Sequence, residues 1–491
     1  MRSIVSLPVL PRDRIDLLER TKKILAENRI VPKASLGQCF CVDAHLLERL
    51  VDYANIKPSD TVLEIGAGLG ALTLLLAEKA ETVLAVEVDN SLVEILKRMT
   101  IGRKNIRVIQ GDILRLNNLV FHRFVANPPY SISLPLISAL LRRQFICGIV
   151  TLQREFVEKL TAKPGDAQYC HLSVLSRYRT AVTVLEKVPR TAFYPQPKVE
   201  SAVVRFEQTS PNFSVKDERI FESLVKTLFT QRNRLVRNGL TTFLQRYAAC
   251  SRSEARRLLV EFPHLEKRVE ELAPEEFADI ADKVEGLVKG TKIQYEDICL
   301  FVLPEVYKPS DDSFLLVKHL DVLPGEKVLD MGTGCGILGI ISAKKGAEVV
   351  AVDINPHAVK CAQLNARLNN VADRLTVRLS DLFSGLGDVQ FDVIVFNPPY
   401  LPTERSEETG EWLEKSWQGG TTGRAVIERY INSLTKYLRI GGRTLIIVSS
   451  LCDLGRVLRI LEAQGLRPKI VEEKALDFET LYLIYAVRNQ I

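Results

Sequence analysis

Two tetrapeptides carry residue types suited to activating a weakly nucleophilic nitrogen: Asn127-Pro128-Pro129-Tyr130 and Asn397-Pro398-Pro399-Tyr400. The lone pair of an aniline-like or amide NH2 is delocalised. An Asn side-chain carbonyl and the backbone carbonyl of the next Pro can accept its two hydrogens and favour a more tetrahedral nitrogen. Proline stiffens the turn, so the acceptors are held in advance, and Tyr can stack on the planar group. Methyl transfer from a sulfonium to such a nitrogen needs in-line approach and charge stabilisation more than a strong base. On these grounds Asn127, Pro128, Tyr130, Asn397, Pro398 and Tyr400 are catalytic candidates. The bland alternative for each copy is a proline-rich turn after a strand.

Each copy lies about sixty residues after a G-x-G-x-G run, Gly66-Ala67-Gly68-Leu69-Gly70 or Gly332-Thr333-Gly334-Cys335-Gly336. Such glycines in a strand-to-helix turn allow positive φ and close approach of a ligand to the backbone. An acidic residue stands 21 positions after the first glycine in both halves, Glu87 and Asp353. At the end of a second strand, a carboxylate can accept from two ribose hydroxyls, which indicates an adenosine-containing ligand. Ala71 and Ile337 stand where the dinucleotide pattern G-x-G-x-x-G has its last glycine. The glycine loops alone do not separate NAD from S-adenosyl-L-methionine. The two Asn-Pro-Pro-Tyr copies favour S-adenosyl-L-methionine, with a nicotinamide oxidoreductase as the weaker reading. A repeat of this length implies two similar domains in one chain.

The elements that must position these residues alternate. Thr61–Ile65, Val83–Val86, Ile106–Ile109 and Phe124–Ala126 read as strands, with helices between them. The pattern restarts at Lys327–Leu329, Val349–Val352, Leu375–Val377 and Val393–Phe396. Residues 14–29 read as an amphipathic helix, and Asp43 as the N-cap of a helix through Tyr53. From Phe221 to about Val284 only helical periodicity remains. The predicted fold is α/β: two Rossmann-like methyltransferase domains with doubly wound, mostly parallel sheets, and a small all-α domain between them. The expected boundaries are 1–210, 211–288 and 289–491, with Gly286-Leu287-Val288-Lys289-Gly290 as the linker.

A chain of 491 residues suits two or three domains. Its charge is uneven. Residues 1–290 carry 43 basic and 34 acidic residues, residues 101–250 carry 23 and 10, and residues 291–491 carry 23 and 26. The basic middle of the first half favours a polyanionic partner over a merely solvated surface. No apolar run reaches the roughly 20 residues needed to span a bilayer, and no signal peptide is read, so a cytoplasmic protein without a membrane partner is expected. The nine cysteines form no C-x-x-C pair, so no metal site is expected. Phe193-Tyr194-Pro195-Gln196-Pro197-Lys198 is a further aromatic–proline turn. Its Phe193 could stack on an unpaired base, or be an ordinary buried Phe in a turn.

On these residues the first half resembles the ribosomal RNA adenine dimethyltransferases. The resemblance rests on Leu36–Phe40, Glu64–Thr73, Gln110-Gly111-Asp112, Gln153-Arg154-Glu155 with Ala162–Gly165, Phe193–Lys198 with Glu200-Ser201-Ala202, and Arg234–Leu240, spanning about 20–285. It implies dimethylation of N6 on two adjacent adenosines in a hairpin loop near the 3′ end of small-subunit (16S) rRNA during 30S biogenesis. The small ribosomal subunit would be the partner and S-adenosyl-L-methionine the cofactor. By this resemblance Cys39, Cys41, Gly66, Gly68, Glu87, Asp112 and Asn127 contact the cofactor. Asn127 and Tyr130 hold the target amine, Phe193 stacks on the adenine, and the Arg-rich helical domain docks rRNA. Cys39, Cys41, Ala67 and Pro128 differ from the residues usual in that family. The differences at Cys39 and Ala67 raise the alternative of an rRNA-binding assembly factor with weak or lost catalysis.

The second half resembles the short form of the release-factor glutamine N-methyltransferases. The resemblance rests on Val306–Ser313, Asp330–Gly336, Asp353-Ile354-Asn355, Asn397–Pro402 and Trp417–Gly420 with Gly423-Arg424, spanning about 295–490. It implies methylation of a release-factor glutamine, with Asp330, Gly332, Gly334, Asp353, Asp381 and Asn397 at the cofactor. A small zinc-binding activator subunit is an implied partner. A glutamine amide satisfies the Asn-Pro-Pro-Tyr chemistry as well as adenine does, so an adenine-N6 nucleic-acid methyltransferase is the alternative for this half.

Overall fold

The structure is a computed structural model of the chain and describes residues 14–33, 37–116, 118–209, 213–402 and 411–489. Leu36 and the N-terminal run Met1–Leu10 lie outside the described residues. Two compact units form. One comprises residues up to Arg234 with Lys267–Ala278, and the other Leu235–Glu266 with residues from Asp279 onward. No helix among the described residues is long and apolar enough to cross a membrane.

The first unit holds a seven-stranded sheet. Its strands are β1 (Thr61–Ile65), β2 (Thr82–Glu87), β3 (Ile106–Gln110), β4 (Arg123–Ala126), β5 (Cys147–Gln153), β6 (Thr180–Val188) and β7 (Ser201–Gln208). They lie in the order β3-β2-β1-β4-β5-β7-β6. β1 to β5 are parallel, and β7 runs antiparallel to both β5 and β6. The central strands are apolar at nearly every position because helices cover both faces. Val62 packs with Leu50 and Leu76 on one face, and its neighbour Leu63 packs with Phe124 and Leu136 on the other. β5 crosses Phe124 at Gly148, where a Cβ would stand 1.9 Å from the ring, so only glycine fits. The helix expected over 14–29 spans Arg14–Glu27, and Asp43 caps Ala44–Tyr53 by accepting from the Leu46 amide.

The second unit repeats the arrangement with β8 (Lys327–Met331), β9 (Glu348–Asp353), β10 (Leu375–Leu379), β11 (Phe391–Phe396), β12 (Leu438–Ser449), β13 (Leu466–Ala475) and β14 (Thr480–Arg488). Their order is β10-β9-β8-β11-β12-β14-β13, strand for strand the order of the first unit. The internal repeat is therefore one of topology as well as motif. A hairpin, Thr291–Tyr295 with Ile298–Val302, precedes this sheet. The helices Val236–Tyr247 and Arg252–Leu258 belong to the same unit. There Arg257 Nη1 donates to the Leu368 carbonyl at 2.5 Å, Arg367 pairs with Glu261, and Lys292 pairs with Glu254 at 2.9 Å.

The linker expected at 286–290 is corrected. Residues 286–289 complete the helix Pro274–Lys289, and Gly290 leads directly into the hairpin. Ile280, Val284 and Leu287 are buried at helical spacing. Burying such a stripe offsets the roughly 1 kcal/mol that a glycine such as Gly286 costs inside a helix.

Candidate functional site

In the first unit the G-x-G-x-G loop leaves β1 with Gly66, Gly68 and Gly70 all at positive φ (78°, 55° and 81°). Glu87 ends the neighbouring β2. Its Oε2 accepts from the Gly68 amide at 2.9 Å, and its Oε1 accepts from the Val88 and Asp89 amides at 2.9 and 3.0 Å. The loop and the acid thus hold each other in place. Behind them Glu64 is only 1 % exposed, and burial, with the Glu87 charge adding to it, pushes its carboxyl up to about 8.

Asn127 follows β4, so the fourth strand delivers it beside the glycine loop. Its Nδ2 donates to the Cys39 carbonyl at 3.4 Å, and the Tyr130 and Ser201 hydroxyls share a hydrogen bond. Cys39 comes from a segment held over the site by two features. Phe40-Cys41 pairs with Phe193-Tyr194 as a short antiparallel ladder, and Asp89 accepts from Lys33 Nζ at 2.7 Å and Gln38 Nε2 at 3.0 Å. Burial pushes the Cys39 thiol up, so it is an uncharged wall rather than a nucleophile.

These residues enclose a cavity of about 340 Å³. Every site residue expected in this half lines it: Cys39, Cys41, Gly66, Gly68, Glu87, Asp112, Asn127, Pro128, Tyr130 and Phe193. Phe193 is 2 % exposed and forms part of the cavity wall. Glu64 and Gln38 line the cavity too, although neither stands out in the sequence as a site residue.

The second unit builds the same arrangement. Gly332, Gly334 and Gly336 have positive φ (63°, 56° and 89°). Asp353 ends β9; its Oδ2 accepts from the Gly334 amide at 2.9 Å and its Oδ1 from the Asn355 amide at 2.9 Å. Asp330 in β8 is fully buried. It accepts from Thr333 Oγ1 at 2.6 Å and from the Gly339 amide at 2.9 Å, and burial pushes its carboxyl up to about 7. A cavity of about 250 Å³ is lined by Gly332, Gly334, Asp353, Asp381 and Asn397, with Trp412, Lys415 and Arg429 also on its wall. Asp330, Pro398 and Tyr400 are not among the residues that line it.

The surroundings of Asn397 differ from those of Asn127. Asp312 Oδ2 accepts from Asn397 Nδ2 at 3.0 Å, Tyr307 Oη at 3.2 Å and Tyr400 Oη at 3.3 Å. Burial, with the Asp312 charge next in effect, raises both tyrosine hydroxyls, so they stay protonated as donors. Asn397 Oδ1 is buried and has no hydrogen-bond partner among the described residues. Asp312 lies within the Val306–Ser313 run, but nothing local in the sequence ties it to Asn397, 85 residues away. Trp417 and Gly419 brace the turn after Tyr400: the Leu401 amide donates to the Trp417 carbonyl at 2.9 Å, and the Gly419 amide to the Leu401 carbonyl at 2.8 Å.

In both units a glycine-rich turn and a strand-end carboxylate can hold the ribose of an adenosine-containing cofactor, and a side-chain acceptor sits beside it for an incoming NH2. The unpartnered Asn397 Oδ1 is the observation that such a group would satisfy. Among the described residues, no group of three or more His, Cys, Asp or Glu is placed to hold a metal ion.

Residues 31–285 match the family model described as ribosomal RNA adenine dimethylase, and residues 308–413 match the methyltransferase small domain. A "probable ribosomal RNA small subunit methyltransferase A" of Thermococcus kodakarensis is 38 % identical over 282 residues, covering 55 % of this chain and 98 % of the relative. Among solved structures, a dimethyladenosine transferase from Plasmodium falciparum gives a TM-score of 0.45 at 26 % identity, covering 50 % of this chain and 96 % of that one. The E. cuniculi Mtq2-Trm112 complex, described as responsible for methylation of the eRF1 translation termination factor, gives 0.31 at 26 % identity, covering 38 % of this chain and 99 % of that one.

Proposed function

The chain belongs to the ribosomal RNA adenine dimethylase family and is an S-adenosyl-L-methionine-dependent methyltransferase, and on that premise we propose two reactions, one in each unit. The first unit dimethylates N6 of two adjacent adenosines in the hairpin loop near the 3′ end of small-subunit rRNA during 30S biogenesis. The second N-methylates the side-chain amide of a release-factor glutamine, with a small zinc-binding activator subunit as partner. The functional parts are 1–210 for the first catalytic domain, 211–288 for rRNA docking and 289–491 for the second catalytic domain.

The observation that carries this reading is the placement of Asn127 and Asn397, each lining a cavity with a glycine loop and a strand-end acid, with Asn397 Oδ1 left without a hydrogen-bond partner. The cofactor, when bound, supplies an electrophilic methyl group. The chain's part is to orient the target nitrogen: Asn Oδ1 and the Pro128 or Pro398 carbonyl accept its hydrogens, and Tyr130 or Tyr400 supports the turn. Phe193 offers an aromatic wall for a base taken out of its stack, which a hairpin loop gives up at little cost. For the second catalytic domain, a balance of 23 basic to 26 acidic residues over 291–491 favours a peptide substrate over free nucleic acid.

Transfer of labelled methyl groups, scored separately on RNA and protein, tests the reading. The substrates are under-methylated small subunits and a release factor with its activator subunit. Wild-type protein labels both fractions, Asn127→Ala labels protein only, and Asn397→Ala labels RNA only. Loss of both activities from one change would overturn the assignment of one reaction to each unit. An unlabelled release factor would overturn the glutamine assignment.

A further inference from the structure

We infer that Asp312 is a positioning residue of the second site, locking the Asn397 amide with its nitrogen turned away from the substrate and its oxygen turned towards it. This rests on the proposed amide-directed reaction, and the observations are geometric. Asp312 is 3 % exposed and outside the cavity lining, whereas Asn397 lines the cavity. A carboxylate has no hydrogen to give, so the group facing it must be the Asn397 NH2; a flipped amide would set oxygen against oxygen. Asn397 Oδ1 is then left buried and unpartnered, as found.

The carboxylate is itself firmly held. Its Oδ1 accepts from the Ser313 amide at 2.6 Å and Ser313 Oγ at 3.1 Å, and Oδ2 takes the two tyrosine hydroxyls besides Asn397. It also lies in the first turn of the helix Asp311–His319, where the exposed backbone N–H groups favour a negative charge. Nearby, Asp311 pairs with Lys474 at 2.8 Å, and Glu479 bonds to Ser449 and lies close enough to act on both tyrosines.

The first site lacks this device. There the Asn127 amide meets only the neutral Cys39 carbonyl at 3.4 Å, and Tyr130 is turned to Ser201. Among the described residues no carboxylate bonds to either side chain. The two sites therefore present the same acceptor by different means: a long hydrogen bond to a backbone carbonyl in the first, and a buried, multiply bonded charge in the second.

The test uses the full chain with Asp312→Ala and Asp312→Asn. The second variant keeps one oxygen, which the Ser313 amide and hydroxyl claim, so its NH2 faces Asn397 and the acceptor that orients the Asn397 amide is lost while the shape is kept. For methylation of the release factor, Asp312→Ala lowers kcat about 100-fold, the scale of a misplaced reacting group. KM and the calorimetric affinity for S-adenosyl-L-methionine stay within about 3-fold in both variants, and Asp312→Asn, whose NH2 favours the reversed Asn397 amide, loses kcat to a similar extent. A readout independent of substrate is the side-chain amide resonance of Asn397 in protein labelled at asparagine, assigned by its loss in Asn397→Asp. Its hydrogens exchange slowly in wild type, and fast in both variants. A near wild-type kcat in Asp312→Ala, or an Asn397 signal indifferent to both changes, overturns the inference. If wild-type protein leaves the glutamine unmodified, the substrate reading falls, and the Asn397 resonance alone decides the role of Asp312.

Discussion

The Gly68 amide donates to Glu87 Oε2 at 2.9 Å, tying the turn after β1 to the end of β2. The second unit repeats the bond between Gly334 and Asp353 at the same distance. Each carboxylate thus fixes its glycine loop and also faces the cavity. Glu87→Ala and Asp353→Ala each remove the carboxylate proposed to accept from ribose hydroxyls, with an expected loss of about 1.5–3 kcal/mol, or roughly 10- to 150-fold in affinity. In calorimetry at moderate cofactor concentration, either change should reduce two binding events per chain to one. The double variant should show none.

Glu64 and Asp330 are buried acids whose carboxyls burial pushes up to about 8 and about 7. In the unfolded chain both ionise near pH 4. Between pH 4 and 8 the folded state therefore holds protons that the unfolded state has released, and stability falls as pH rises through that window. Glu64→Gln and Asp330→Asn keep the shape without the charge. Their melting temperatures relative to wild type should be a few degrees more favourable at pH 8.5 than at pH 5. An unchanged difference between the two pH values would mean that neither acid is neutral in the folded protein.

Gly423 sits at φ 68°, and a Cβ there would lie 2.5 Å from the Tyr400 carbonyl oxygen and 2.9 Å from Cys452 Sγ. The chain after Gln418 folds back against the Asn-Pro-Pro-Tyr turn, and only glycine permits that approach. Gly423→Ala should displace the turn and lower transfer by the second unit about 100-fold, with RNA methylation by the first unit unaffected. Parallel assays on RNA and protein substrates read this directly.

Sequence alone carries the local parts of both sites. The glycines at positive φ, the acids closing β2 and β9, and the Asn residues after β4 and β11 are each set by short-range backbone demands, so their spacing reveals them. Asp312 is different. Its role exists only once the fold brings it to Asn397, and an acidic pair at the start of a helix reads equally well as an ordinary first turn. The strands β12 to β14 and the run through Gly286 show the same limit. Long antiparallel pairings and a glycine inside a buried helix are decided by tertiary packing rather than by local preference.

Arg123, the first residue of β4, forms a buried ion pair that sets the strand leading to Asn127. Its Nε donates to Asp60 Oδ2 at 2.5 Å and its Nη1 to the Ala54 carbonyl at 2.9 Å. Burial alone would raise the Asp60 carboxyl, but the Lys57 amide and Arg123 outweigh it and hold the group below its ordinary value. The pair therefore contributes stability above about pH 4 that is lost as pH falls through the depressed folded value. Asp60→Leu leaves a buried guanidinium unpaired and should cost about 3–5 kcal/mol in urea unfolding at pH 7. Asp60→Leu with Arg123→Met replaces both charges by apolar groups and should cost less than Asp60→Leu alone. If the double variant is the less stable of the two, the pair stabilises the strand beyond the simple need to neutralise a buried charge.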